Sequence, residues 1–189
     1  MSQFTGLEYM TDDHYAGIGM VITMTCHLDG LLDQIIVAMT KSTNEPAFYP
    51  ILTFLSAKDK RDYIEAMAGI STWPQYLIKG LKDLMDRAKP AFALRNDIAH
   101  NVWRKGRRAG AIKPMSMSAR GALKLLGSEH NEREWTAPQL KAEAQKIHEL
   151  GVDLAKFMRR YELVSLPEKP PSRPAVAPRP RRDTRHRGD

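Results

Sequence analysis

The chain has 189 residues, of which 42% are hydrophobic, and a formal net charge of +7. This is enough apolar material for one core with chain to spare, and the positive balance favours polyanionic partners. A single cysteine, Cys26, excludes an intramolecular disulfide and suits a reducing compartment. Residues 1–11 lack a basic segment followed by an apolar run, and no apolar stretch reads as long enough for a membrane span. The expectation is a cytoplasmic protein without a membrane partner.

In chain order, residues 1–11 read as a flexible arm, with Asp12 or Asp13 as candidate caps of a first helix. Ile18, Ile22, Leu28, Leu32, Ile35, Ile36 and Met39 recur at helical spacing, which predicts a helix over 13–41. Gly17, Gly19 and Gly30 oppose it by about 1 kcal/mol each relative to alanine. On this helix Cys26 is assigned to the core and its neighbour His27 to the polar face. Ser42, Asn44 and Pro46 end the helix, and a short apolar patch follows over 49–55.

Ser56 precedes a charged helical start, Lys58-Asp59-Lys60-Arg61-Asp62, with Tyr63, Met67 and Ile70 as the apolar stripe of a second helix. Ser71 and Thr72 are cap candidates for a third helix, and Pro74 fits its first turn. Leu77, Leu81, Leu84, Met85 and Phe92 carry it forward, and Pro90 is expected to bend or interrupt it. Arg104 to Gly110 reads as a basic, glycine-punctuated turn, with hairpin strands predicted over 111–118 and 122–126. Thr136 and Gln139 form a capping-box signature for a last helix, with Leu140, Ala144, Ile147, Gly151, Leu154, Met158 and Tyr161 on one face. From residue 166 onward, seven cations face three carboxylates among prolines and alanines, so the tail is expected to be disordered and basic.

The predicted fold is all-α: a four-helix bundle spanning 12–165, a small β-hairpin insert near 104–127, and a disordered C-terminal tail over 166–189. No metal-ligand spacing, phosphate loop or dinucleotide fingerprint is present, so neither a metal nor another cofactor is expected.

One stretch concentrates chemistry. Arg95, Asn96, Asp97 and His100 fall within six positions of a helical run whose apolar stripe is Leu94, Ile98 and Val102. Imidazole titrates near neutrality and serves as acid or base, while guanidinium forks onto phosphate oxygens. Asn96 and His100 stand four apart on one helix face, so the amide can orient the ring or a phosphate. The structural alternative is a network in which Arg95 pairs with Asp97, Asp29 or Asp33, and His100 faces the negative end of its helix. Asp29 and Asp33, four apart on the first helix, then read as either a solvated face or orienting groups. Trp103 reads as a core or interface anchor or as a base-stacking platform.

Leu94-Arg95-Asn96-Asp97-Ile98-Ala99-His100, followed by Trp103, resembles the signature of the HEPN superfamily of helical-bundle proteins, many of them ribonucleases in toxin–antitoxin and phage-defence systems. Asn101 stands where the longer form of that motif often has glycine, and asparagine also tolerates the left-handed conformation that ends a helix. The resemblance implies metal-independent endoribonuclease activity with Arg95, Asn96 and His100 as site residues. It also implies a homodimer that joins two motifs at a symmetric interface, RNA as substrate, and an antitoxin or other protein partner. Arg104, Lys105, Arg107 and Arg108 follow the motif directly and are candidates to guide an RNA backbone. The other reading is a non-catalytic HEPN-like dimer that binds RNA or protein.

Overall fold

Helix α1, Asp12–Thr40, is the element against which the other long helices pack. Val21, Leu28, Leu32 and Ile35 on it are completely buried. The computed structural model describes residues 8–41, 44–115 and 133–163. Most of the predicted N-terminal arm, the strand over 122–126 and the basic tail lie outside the described residues. A short 3-10 turn at Glu45–Ala47 leads into α2, Phe48–Leu52, and then α3, Ala57–Ile70. Helix α4 is Gln75–His100, and α5 is Ala137–Arg160. The fold is mostly helical, with one small three-stranded antiparallel sheet.

The ends of α1 and α4 depart from expectation in instructive ways. Thr11, not Asp12 or Asp13, caps α1; its backbone N–H donates to Nδ1 of His14 at 3.2 Å. The two aspartates occupy the first turn, where carboxylates favour the positive helix end. For α4 the N-cap is Pro74, while Ser71 closes α3 by donating its hydroxyl to the Ala68 carbonyl at 2.8 Å. Pro90 does not interrupt α4. It sits on the exposed face, so the carbonyl that loses its amide donor there can turn to water.

The predicted strand over 111–118 is present as far as residue 115, but the described hairpin pairs it with an earlier strand that was not anticipated. Strand β1, Val102–Lys105, pairs antiparallel with β2, Ala111–Met115, and β2 pairs with β3, Trp135–Thr136. The turn between β1 and β2 therefore carries the basic run, and the first strand begins before it. Asn101 has φ −109° and ψ 150°, so the chain leaves α4 directly into extended backbone, without the left-handed cap expected of asparagine. Gly106 N–H donates to the Ala111 carbonyl at 2.8 Å, and Gly110 supplies φ +64°. A Cβ on Gly106 would stand 2.9 Å from that same carbonyl oxygen, so only glycine fits the closure.

Two faces were misread from sequence. In α3 the buried residues are Lys60, Arg61, Ile64 and Ala68, whereas Tyr63 and Ile70 are exposed. In α1 Cys26 is exposed, because Thr25 and Leu28 take the inward face. Helix α1 is also long and apolar enough by composition to cross a membrane, contrary to the expectation. Its apolarity has a direct use here, since its buried residues pack against α3, α4 and α5.

Candidate functional site

Arg95 and Asn96 sit on the last third of α4, on the rim of a cleft of about 500 Å³. Its walls come from α1 (Thr25, Cys26, Asp29), the start of α3 with the loop before it (Leu55, Ser56, Lys58, Arg61), and α4 (Lys89, Phe92, Ala93). Arg95 is half-buried, and its Nη1 donates to Oδ1 of Asn96 at 3.1 Å. Arg95 forms no ion pair among the described residues, so the structural network with Asp97, Asp29 or Asp33 does not form. His100 is exposed at the end of α4 and does not line the cleft. Five residues along a helix turn about 140° and rise about 7.5 Å, which accounts for the separation. Asp97, half-buried one turn before the helix end, has its carboxyl pushed above the usual range by burial.

Asp29 and Asp33 have a different task. Lys60 is 2% exposed, and its ammonium lies 2.8 Å from Oδ2 of Asp29 and 2.7 Å from Oδ1 of Asp33. Burial alone would lower the Lys60 pKa, but the two carboxylates outweigh it and hold the pKa above the ordinary lysine value. Both aspartates are thus spent on tying α3 to α1. The two carboxylates share one ammonium, so Asp29 faces the cleft with its charge only partly balanced.

The basic hairpin turn is only partly available to a ligand. The Glu134 carboxylate accepts the backbone N–H groups of Arg107 at 2.7 Å and Arg108 at 3.1 Å. These backbone hydrogen bonds, with the Arg108 guanidinium behind them, hold the Glu134 carboxyl below its usual range. Arg108 also donates to the Glu134 carbonyl at 2.7 Å, so its side chain is committed to the turn. Arg104 and Lys105 project from β1, exposed and without a carboxylate partner among the described residues, and the Arg107 side chain is equally open. A second cleft, about 560 Å³, lies beside this turn, but its cations are answered. There Arg133 covers the Trp135 ring at 4.3 Å, and Lys146 pairs with Glu143 at 2.8 Å.

No family model, no curated protein and no solved structure matches this chain. The site must be read from its own residues. Trp103 is half-buried against the core, and the Tyr9 hydroxyl donates to its carbonyl, so it anchors the chain segment after His100. His14, 3% exposed, accepts from Thr11 at Nδ1 and donates from Nε2 to the Gly110 carbonyl at 3.1 Å. That bond ties the start of α1 to the hairpin turn. No group of three or more His, Cys, Asp or Glu side chains gathers as a metal site among the described residues.

Arg61 is the cleft residue that sequence reasoning passed over. It lay in the charged start of a helix whose apolar stripe was assigned to Tyr63, Met67 and Ile70, yet it shares the α3 face of Ala57, Ile64 and Ala68 at spacings of four, three and four. A cation at a core-facing position was the available signal.

Proposed function

We propose that this chain is an endoribonuclease of HEPN type that cleaves RNA without a metal, acting as a homodimer. The observation that carries the proposal is Arg95, held by Asn96 at the rim of a cleft and without an ion pair among the described residues, with His100 exposed on the same helix. A guanidinium left unpaired in such a place is suited to a phosphate. The resemblance of 94–100 and Trp103 to the HEPN signature supports the same reading.

In the reaction, His100 takes the proton from a 2′-hydroxyl, whose oxygen attacks the adjacent phosphorus. The 5′-oxygen leaves and takes a proton from a second imidazole, giving a 2′,3′-cyclic phosphate and a 5′-hydroxyl. Arg95 stabilises the charge that builds on the phosphorane oxygens, and Asn96 holds Arg95 in position. One helix carries only one imidazole, turned away from the arginine. A two-fold pair that sets the ends of both α4 helices side by side joins the two His100 side chains and Arg95 in one shared site, one imidazole as base and the other as acid. Exposed Phe54 and Ile51, close in sequence to Leu55 in the cleft wall, offer apolar surface for that second copy. Arg104, Lys105 and Arg107 extend the path for an RNA backbone; Arg108, fixed to Glu134, shapes the turn that presents them.

A cytoplasmic toxin or phage-defence effector held in check by an antitoxin is the role that HEPN analogy suggests. The second reading, a non-catalytic module that binds RNA or protein, is favoured by the absence of His100 from the cleft lining. Cleavage of RNA by purified protein in chelator separates the two. Loss of cleavage in Arg95→Ala and His100→Ala, with the dimer intact, is the expected result for the nuclease.

A further inference from the structure

The cleft beside Arg95 holds a second guanidinium that no carboxylate contacts among the described residues. Arg61 is 8% exposed, and its Nη1 is fully buried with no hydrogen-bond partner. Its one hydrogen bond among the described residues runs from Nε to the Ala57 carbonyl at 3.3 Å, a neutral acceptor one turn back. No carboxylate pairs with it among the described residues. The neighbouring buried cation, Lys60, shows what this fold does when it needs a structural lysine: it supplies two aspartates. Arg61 received none, although burying an unpaired guanidinium is costly.

The surroundings of Arg61 point the same way. Lys58, Lys89 and Arg95 line the same cleft, and its one carboxylate, Asp29, is engaged by Lys60. Lys58 and Lys89 pair with Asp62 and Asp86 on the exposed surface, which fixes them at the rim. Arg61 and Arg95, neither with an ion pair among the described residues, suit a compact anion with several oxygens. We propose that Arg61 and Arg95 form a phosphate subsite that grips one backbone phosphate of a single-stranded RNA, with Arg61 as the inner binding residue. This rests on the nuclease reading for the identity of the ligand, but not for the existence of the subsite. With Nε held by the Ala57 carbonyl and Nη1 fully buried, Nη2 is the Arg61 donor left to meet a phosphate oxygen in the cleft, beside the Arg95 guanidinium.

The test is fluorescence anisotropy of the full chain with a short single-stranded 2′-O-methyl RNA, whose blocked 2′-oxygen cannot react. Arg61→Gln is compared with Lys156→Gln, which removes one exposed cation from α5, away from the cleft. Arg61→Gln is expected to weaken binding by about tenfold or more and to reduce the salt slope by about 0.7, the loss of one phosphate contact. Arg61→Lys should recover part of the affinity, since it keeps the charge and loses the guanidinium geometry. Ala93→Glu, an exposed change in the cleft wall, should abolish binding with Arg61 in place, and it decides the matter if Arg61→Gln fails to fold by circular dichroism. Bound oligonucleotide should also slow alkylation of Cys26, the sole cysteine, which lines the cleft.

Affinity and slope for Arg61→Gln equal to those of Lys156→Gln would overturn the subsite. So would unprotected Cys26, full binding by Ala93→Glu, or no binding by wild type. Cleavage of all-ribose RNA, run in parallel, keeps the two ideas apart. Arg61-dependent binding without cleavage refutes the nuclease and keeps the subsite, and cleavage with Arg61-independent binding does the reverse.

Discussion

Replacing Lys60 with methionine keeps most of the buried aliphatic volume but leaves Asp29 and Asp33 facing each other, four apart on α1, without a cation. Breaking a fully buried ion pair by removing one partner costs about 3–5 kcal/mol. Here the Lys60 side chain is 3% exposed, but those of Asp29 and Asp33 are 37% and 18% exposed and can partly rehydrate. The expected loss is therefore about 2–3 kcal/mol. For a chain of this size that corresponds to a fall in Tm of about 5–10 °C. The pH dependence gives a second handle. In wild type the Lys60 pKa is raised on folding, so its contribution is complete below the unfolded value of about 10.4 and is lost as pH rises through the folded value. Urea unfolding of wild type and Lys60→Met at pH 7 and at rising alkaline pH measures both effects, the difference shrinking as Lys60 deprotonates in wild type. A variant within about 0.5 kcal/mol of wild type at pH 7 would refute the account of how α3 is tied to α1.

Two further perturbations test the packing and the site. Gly17→Ala improves helix propensity by about 1 kcal/mol, yet its new Cβ would stand 2.8 Å from Cβ of Leu140, which α5 holds in place. Overpacking should win, giving a net loss of about 1 kcal/mol in urea unfolding; a gain would mean that α1 and α5 separate easily. Asp97 is held above its usual pKa by burial, so ionising it works against folding. Stability at this site is greatest below the unfolded value of about 4 and falls as pH rises through the folded value. Asp97→Asn should therefore be more stable than wild type at pH 7, with the gain gone in acid, as thermal unfolding at the two pH values can measure.

How much of this was legible in the sequence depended on the distance over which each decision is made. The Thr136–Gln139 capping box and the stripe from Leu140 to Met158 are local, and α5 formed where they indicate. The α4 stripe was equally clear, and all of Leu77, Leu81, Leu84, Met85 and Phe92 are buried. Helix α3 formed after Ser56 as expected, but its buried face was misread because its partners are remote: nothing near Lys60 in sequence announces Asp29, 31 positions away. The stripe was assigned to Tyr63, Met67 and Ile70, although two cations of the charged start face inward. Strand β1 failed for a related reason. Val102–Lys105 carries a basic, mostly exposed pattern, and its pairing is fixed by the Gly106–Ala111 closure and by Glu134 across the turn. At the site, the sequence named Arg95 and Asn96, which meet in the structure. It also anticipated that His100, five positions on, would not converge with Arg95 on a single helix. The spacing of Arg61 with Ala57, Ile64 and Ala68 was a local signal of its inward position, but its place beside Arg95 emerged only with the cleft that α1, α3 and α4 enclose.

The most direct measurement is the chemistry of the cut ends. Purified protein is incubated in chelator with a defined RNA, wild type beside Arg95→Ala and His100→Ala, with molar mass followed by light scattering. The account predicts a dimer that leaves 2′,3′-cyclic phosphate and 5′-hydroxyl ends, no cut where the attacking sugar is 2′-deoxy, and no cleavage by either variant. Equal cleavage by all three proteins, or a well-folded wild-type dimer that leaves the RNA intact, would contradict it.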